Sequence, residues 1–179
     1  MSKVRVFRCR ICGDPYIGTE APTRCPFCGA VTEYFVMAED WKPNEFNVEL
    51  SDVARADLEA ALKLELDNTA FYSCAMDAAK EAGDEYGLAK FKALKKVENE
   101  HASSICKFLK MNKPGLESVP CSSEFKANSQ EGWEREDRAI KAYTKFRDEI
   151  TEERLKEFFG ALVEIENDHL DLHAENLKE

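Results

Sequence analysis

The sequence carries one acidic motif twice, as Leu94-Lys-Lys-Val-Glu98-Asn-Glu-His101 and as Leu162-Val-Glu-Ile-Glu166-Asn-Asp-His169. Both copies of Glu-x-x-His lie in long stretches rich in Ala, Leu, Glu and Lys. Residues three and four apart share one face of an α-helix, and here that face also carries the apolar residues. The repeated motif therefore predicts two helices that direct carboxylates and imidazoles into a core.

Two further helical stretches each carry a glutamate followed seven residues later by a tyrosine, at Glu65/Tyr72 and Glu136/Tyr143. In an antiparallel helix pair, residues equidistant from the turn lie at the same level. The midpoint of Glu65 and Glu98 falls next to Gly83, and the midpoint of Glu136 and Glu166 falls at Thr151. The spacing predicts a duplicated helical hairpin in which each pair of glutamates meets.

The predicted helices have recognisable ends. The first runs from an N-cap at Ser51 to Ala82, and the second from near Asp84 to a point before Lys113-Pro114-Gly115. The third starts near Asn128, where Glu131 completes a capping-box pattern, and the fourth starts at Thr151. A long connection over residues 112–127 separates the two hairpins. Four helices with one long crossover are typical of a ferritin-like bundle, so we expect a mainly α fold.

Residues 1–38 differ in composition and contain Cys9-Arg-Ile-Cys12-Gly and Cys25-Pro-Phe-Cys28-Gly. Two C-x-x-C turns make a closed tetrahedral S₄ site, which suits Zn²⁺ or a single Fe. A purely structural zinc ribbon is the alternative to a redox iron. We expect a small β module at 1–38, a linker at 39–50 and the bundle at 51–179.

The inward face of the predicted bundle collects four glutamates and two histidines, which would be unfavourable in a core without compensating positive charge. Two metal ions would supply it. In this hypothesis Glu98 and Glu166 bridge the metals, Glu65 and Glu136 are terminal ligands, and His101 and His169 each bind one metal. Oxygen donors with few nitrogens suit Fe or Mn. Tyr72 and Tyr143 either hydrogen-bond the ligand carboxylates or are ordinary core tyrosines.

Four other residues with reactive side chains lie outside the predicted metal sites. His173 lies one turn after His169 and is expected to be peripheral. Cys74 and Cys106 are expected to act as small apolar residues. Cys121 lies in the crossover, where its thiol could react.

The formal net charge of −10, from 35 acidic and 25 basic residues, argues against nucleic acid or an anionic membrane as a partner. Residues 1–10 carry charges but lack the apolar stretch of a signal peptide, so we expect none, and no apolar run approaches the roughly 20 residues that span a bilayer. We therefore expect a cytoplasmic protein, in which a cluster of cysteines indicates metal binding rather than disulfides.

The cysteine segment and the Glu65…Tyr72, Glu98-x-x-His101, Glu136…Tyr143 and Glu166-x-x-His169 motifs together resemble the rubrerythrin family. The cysteine module comes first, which is similar to the reverse rubrerythrins. Typical rubrerythrins carry a seventh glutamate three residues after the ligand on the third helix, where this sequence has Ala139. A different register would make Glu136 that extra residue and place Trp133 in the ligand position.

The resemblance implies a di-iron peroxidase of oxidative-stress defence that reduces hydrogen peroxide. It further implies an Fe(Cys)₄ electron relay and a head-to-tail or domain-swapped homodimer. The sequence has no Gly-rich dinucleotide motif, so a separate NAD(P)H-dependent reductase or a rubredoxin would donate electrons. Three alternatives remain: oxygen as the substrate, a ferroxidase or iron-storage role, and a non-enzymatic zinc-ribbon sensor or interaction protein.

Overall fold

A computed structural model describes residues 3–178, so the first two residues of the expected module and the last residue of the expected bundle lie outside it. The described residues form an antiparallel sheet with strand order β2-β1-β3, built from β1 (Arg5–Cys9), β2 (Pro15–Gly18) and β3 (Phe35–Met37). Four helices follow: α1 (Asp52–Ala82), α2 (Glu85–Leu109), α3 (Phe125–Glu149) and α4 (Glu153–Leu177). The predicted mainly α architecture with a small β module is confirmed.

The first hairpin has the ends that its sequence predicts. The Ser51 side chain accepts a hydrogen bond from the Ala54 backbone N–H at 3.1 Å, and α1 ends at Gly83 with φ +70°. Asp84 caps α2 by accepting from the Gly87 N–H at 2.9 Å. Because only a residue without Cβ readily adopts the left-handed conformation, Gly83 makes the tight turn possible.

The predicted start of the third helix at Asn128 is wrong, since α3 begins three residues earlier at Phe125. Asn128 is inside the helix, and its amide group exchanges two hydrogen bonds with the Ser122 backbone, at 2.8 and 2.9 Å. Glu131 pairs with Arg135 at 2.9 Å instead of completing a capping box. The Asn128 side chain, which was predicted to cap the helix, instead hydrogen-bonds the crossover to α3. The fourth helix begins at Glu153, two residues after the predicted Thr151.

The crossover between the hairpins is bonded covalently to α1 by a Cys74–Cys121 disulfide with a Cα–Cα distance of 5.9 Å. The interpretations of Cys74 as a small apolar residue and of Cys121 as a free thiol are therefore wrong. The physical reason is tertiary, because the crossover passes over the C-terminal half of α1 and brings together two cysteines that are distant in sequence. Cys106 is buried and free, as expected.

The cysteine module packs onto the bundle of its own chain. Arg10 donates to Glu157 at 2.7 and 2.9 Å, and it pairs with Glu45, which also contacts Arg154 at 3.2 Å. Phe46 packs on Phe108 with a ring distance of 5.0 Å. The segment 39–50 thus provides an acidic and an aromatic anchor between the module and the helices. Within residues 3–178, no helix is long and apolar enough to cross a membrane.

Candidate metal centres

The four cysteines of the module form one buried cluster. Cys9, Cys12 and Cys28 have no exposed surface, and Cys25 is 3% exposed. One sulfur from each lies within 4.8 Å of the others, with Cys9–Cys28 at 3.7 Å and Cys12–Cys25 at 3.8 Å. Four thiolates at this spacing fit one tetrahedral metal ion.

Two glycines give the cysteine turns their shape. Gly13 (φ +85°) donates its N–H to the Cys9 carbonyl at 2.7 Å, and Gly29 (φ +80°) donates to the Cys25 carbonyl at 2.9 Å. A Cβ on Gly29 would also lie 3.0 Å from the Ile165 side chain on α4. Both glycines therefore shape their local turns, and Gly29 also permits the close approach of the module to α4.

The second cluster lies inside the bundle, at the level where each hairpin brings its motifs together. All four glutamates have no exposed surface, and His101 also has none. Donor atoms form two groups, each within 4.8 Å: Glu65, Glu98, His101 and Glu166 in one, and Glu98, Glu136, Glu166 and His169 in the other. Glu98 and Glu166 belong to both groups. The structure thus brings together all six residues that the motifs predicted, in an arrangement that can hold two adjacent cations.

Both histidines direct Nδ1 into the cluster. The His101 Nδ1 lies 3.3 Å from Glu65 and 3.2 Å from Glu166, and the His169 Nδ1 lies 2.8 Å from Glu166 and 3.1 Å from Glu98. The His101 Nε2 lies 2.9 Å from the Cys28 carbonyl oxygen, so Nε2 carries the hydrogen and donates it. A neutral ring then leaves the Nδ1 lone pair free for a metal.

The cluster contains buried polar atoms without hydrogen-bond partners. They include both Glu98 carboxylate oxygens, one oxygen each of Glu65, Glu136 and Glu166, and the His101 Nδ1. Burial raises the pKa of Glu65 and of Glu136 well above the usual range. Burial disfavours the charged form of His101, but the charges and hydrogen bonds of Glu65 and Glu166 together outweigh burial and raise the pKa of His101 well above its usual value. Buried oxygen and nitrogen atoms that lack hydrogen-bond partners can act as ligands of two divalent cations. The cations would replace the protons that these raised pKa values otherwise keep on the carboxylates.

Each tyrosine reaches across to a glutamate of the opposite hairpin. The Tyr143 hydroxyl donates to a Glu65 oxygen at 2.7 Å, and the Tyr72 hydroxyl donates to a Glu136 oxygen. Both tyrosines are fully buried, and burial raises the pKa of each well above its usual value. Neutral phenols can therefore hold the two outer carboxylates in place as hydrogen-bond donors.

His173 is the main residue at this site that the sequence interpretation missed. It has no exposed surface, and its Nε2 lies 3.0 Å from the Tyr72 hydroxyl. Its position four residues after His169 places it on the same helix face, which was the available signal. The alternative register finds no support in the geometry, because Glu136 joins the cluster while Trp133 is half-buried outside it.

Comparison with known proteins agrees with this architecture. The family model "Rubrerythrin, rubredoxin-like domain" matches residues 7–36, and the family model "Rubrerythrin" matches residues 57–177. Among curated proteins, Reverse rubrerythrin-1 of Clostridium acetobutylicum is 43% identical over 37 residues, which cover 21% of this chain and 20% of that protein. No solved structure gives a significant match. With the second family model covering most of the chain, this protein belongs to the rubrerythrin family.

Proposed function

We propose that this protein is a non-haem di-iron peroxidase of oxidative-stress defence that reduces hydrogen peroxide to water. Electrons reach the bundle site through an Fe(Cys)₄ centre held by Cys9, Cys12, Cys25 and Cys28. The observation that carries the proposal is the pair of donor groups sharing Glu98 and Glu166, next to a cysteine cluster in the same chain. We further propose functional regions at 1–38, 39–50 and 51–179.

The donor set supports a proposed role for each residue of the bundle site. Glu98 and Glu166 would bridge the two irons, Glu65 and Glu136 would be the terminal ligands, and His101 and His169 would each bind one iron through Nδ1. Iron at these positions supplies redox chemistry, in which two electrons and two protons convert H₂O₂ into two water molecules. Tyr72 and Tyr143 hold the terminal carboxylates by hydrogen bonds. The buried surroundings keep bulk water away from the reacting oxygens.

The hydrogen bond from His101 to the Cys28 carbonyl supports transfer of electrons between the two centres. It connects a cysteine ligand of one centre to a histidine ligand of the other without leaving the protein. Because the contact forms within one chain, the relay does not require a second copy. A homodimer that exchanges modules would make the same contact between subunits. We propose a separate NAD(P)H-dependent reductase or a rubredoxin as the donor, in the cytoplasm.

A stopped-flow experiment tests the peroxidase. Protein with iron in both centres is reduced without oxygen and mixed with H₂O₂; we expect rapid return of the red ferric-thiolate absorption. A reduced spectrum that peroxide leaves unchanged refutes the proposal, and a colourless cysteine site with zinc bound refutes the iron relay. Glu166→Ala should abolish the reaction. Glu164→Ala is the matched control, because Glu164 lies on the same helix but is exposed.

A further inference from the structure

The two hairpins are duplicated in sequence, but the two halves of the bundle site are not equivalent. In one half Tyr72 stacks on Phe91 with a ring distance of 6.1 Å, and in the other Tyr143 stacks on Phe159 at 5.9 Å. The next positions in the repeat differ. Ala61 and Gly132 occupy equivalent positions, each four residues before the repeated glutamate. Ile105 and His173 are also equivalent, each four residues after the repeated histidine. An apolar pair in one half is thus replaced by glycine and histidine in the other.

Gly132 provides the space that His173 occupies. A Cβ on Gly132 would lie 2.2 Å from the His173 Cε1, which is far inside van der Waals contact. The imidazole stacks on the Tyr72 ring at 5.8 Å with an interplanar angle of 14°. The His173 Nδ1 is buried and has no hydrogen-bond partner, so the contact with the Tyr72 hydroxyl is made by Nε2. Burial, followed by the charge of Lys90, lowers the pKa of His173 to about 3, which keeps the ring neutral.

The count of hydrogens fixes the direction of these contacts. A Glu136 carboxylate bound to a metal can only accept a hydrogen bond, and the Tyr72 hydroxyl has one hydrogen to give. That hydrogen goes to Glu136, so the contact between Tyr72 and His173 needs a hydrogen from Nε2. The unprotonated nitrogen of the neutral ring is then Nδ1, which is the nitrogen without a partner.

We propose that His173 is a positioning residue: its Nε2–H donates to the Tyr72 hydroxyl and thereby directs that hydroxyl toward Glu136, in one half of the site only. This inference rests on the proposed two-metal site. Tyr143 holds Glu65 in the other half without such support, because Ile105 occupies the matching position. The metal position at Glu136 and His169 therefore depends on two successive hydrogen bonds, from His173 to Tyr72 and from Tyr72 to Glu136. The position at Glu65 and His101 depends on one, from Tyr143 to Glu65.

Cobalt binding tests the consequence for metal affinity. Protein with zinc in the cysteine site is titrated with Co²⁺, and we expect two ions in the bundle site. His173→Phe should weaken one of the two by up to about tenfold, which is the lower end of the loss expected for a partner that contacts a ligand directly, because His173 acts on Glu136 through Tyr72. His173→Gln should restore affinity, because its amide N–H can replace Nε2–H. Gly132→Ala should reproduce the weakening by displacing the ring, while the matched change Ile105→Val should leave both affinities intact.

The tautomer of His173 gives a second measurement that does not require a variant to fold identically. In ¹⁵N-histidine spectra of protein with zinc in both centres, we expect the His173 hydrogen on Nε2. A hydrogen on Nδ1, or His173→Phe protein with two unweakened cobalt ions, would overturn the proposal. Wild-type protein that binds no Co²⁺ in the bundle would instead overturn the proposed two-metal function, so the two failures are distinguishable.

Discussion

The Cys74–Cys121 disulfide joins α1 to the crossover over a sequence separation of 47 residues, and its removal should have a measurable thermal effect. By loop-closure entropy, cross-linking a loop of this length destabilises the unfolded chain by about 4 kcal/mol at 25 °C. The entropy of unfolding for a chain of this size is roughly 0.4 kcal/mol per kelvin. Dividing the first by the second, we expect Cys74→Ala/Cys121→Ala to lower the melting temperature by about 10 °C.

Differential scanning calorimetry on protein with zinc in both centres measures this effect, with the bond verified by mass spectrometry after alkylation. A phosphine reductant should lower the melting temperature of the wild type to that of the double variant and leave the variant unchanged. The variant therefore serves as the control for reductant acting on the cysteine centre. Equal melting temperatures of verified disulfide-bonded and reduced wild type would refute the reasoning from chain entropy.

Three further predictions concern the packing around the two centres. Burial and the charge of Glu149 raise the pKa of Asp57 to about 6, so the wild type loses stability as pH rises from about 4 to above 6. Asp57→Asn should remove this loss and melt a few degrees higher at pH 7 but not at pH 4, by calorimetry. Arg154→Gln removes a half-buried cationic partner of the buried Glu45, so hydrogen exchange should become at least severalfold faster over residues 5–49, while the bundle core stays protected. Cys25→Ser should abolish metal binding in the module by metal analysis but leave the far-ultraviolet dichroism of the helices nearly unchanged, because the bundle has a separate core cluster around Phe71, Tyr72 and Phe91 that contains no residue of the module.

The features that could be predicted from sequence are those that repeat or that follow local geometry. Glu-x-x-His fixes the face of each helix, and the positions of Gly83 and Thr151 set the level at which the hairpins meet. These local rules place six donor residues at one level. The start of α3 was predicted wrongly because Asn128 can play either of two roles. It can be the N-cap of a capping box, or its side chain can hydrogen-bond a preceding loop, as it does here with Ser122. Local sequence does not distinguish the two.

Contacts between distant segments could not be predicted from the sequence, for a different reason. The Cys74–Cys121 bond depends on the path of an irregular crossover, which no periodicity describes. The proposed role of His173 depends on the absence of a side chain at Gly132 on another helix, which leaves room for the imidazole. In each case the deciding information is the distance between elements, and the sequence of one element does not contain it.

The positions of the two histidines give the bundle site a direction. His101 has no exposed surface and donates to the Cys28 carbonyl, so its end of the site adjoins the cysteine cluster. The His169 side chain is 11% exposed, whereas the four glutamates and His101 have no exposed side-chain surface. Under the proposed function, electrons enter at the His101 end and a small oxidant approaches past His169. Because electrons and oxidant enter at opposite ends of the site, peroxide need not displace the cysteine module in order to react. The module can therefore stay docked on the bundle throughout turnover.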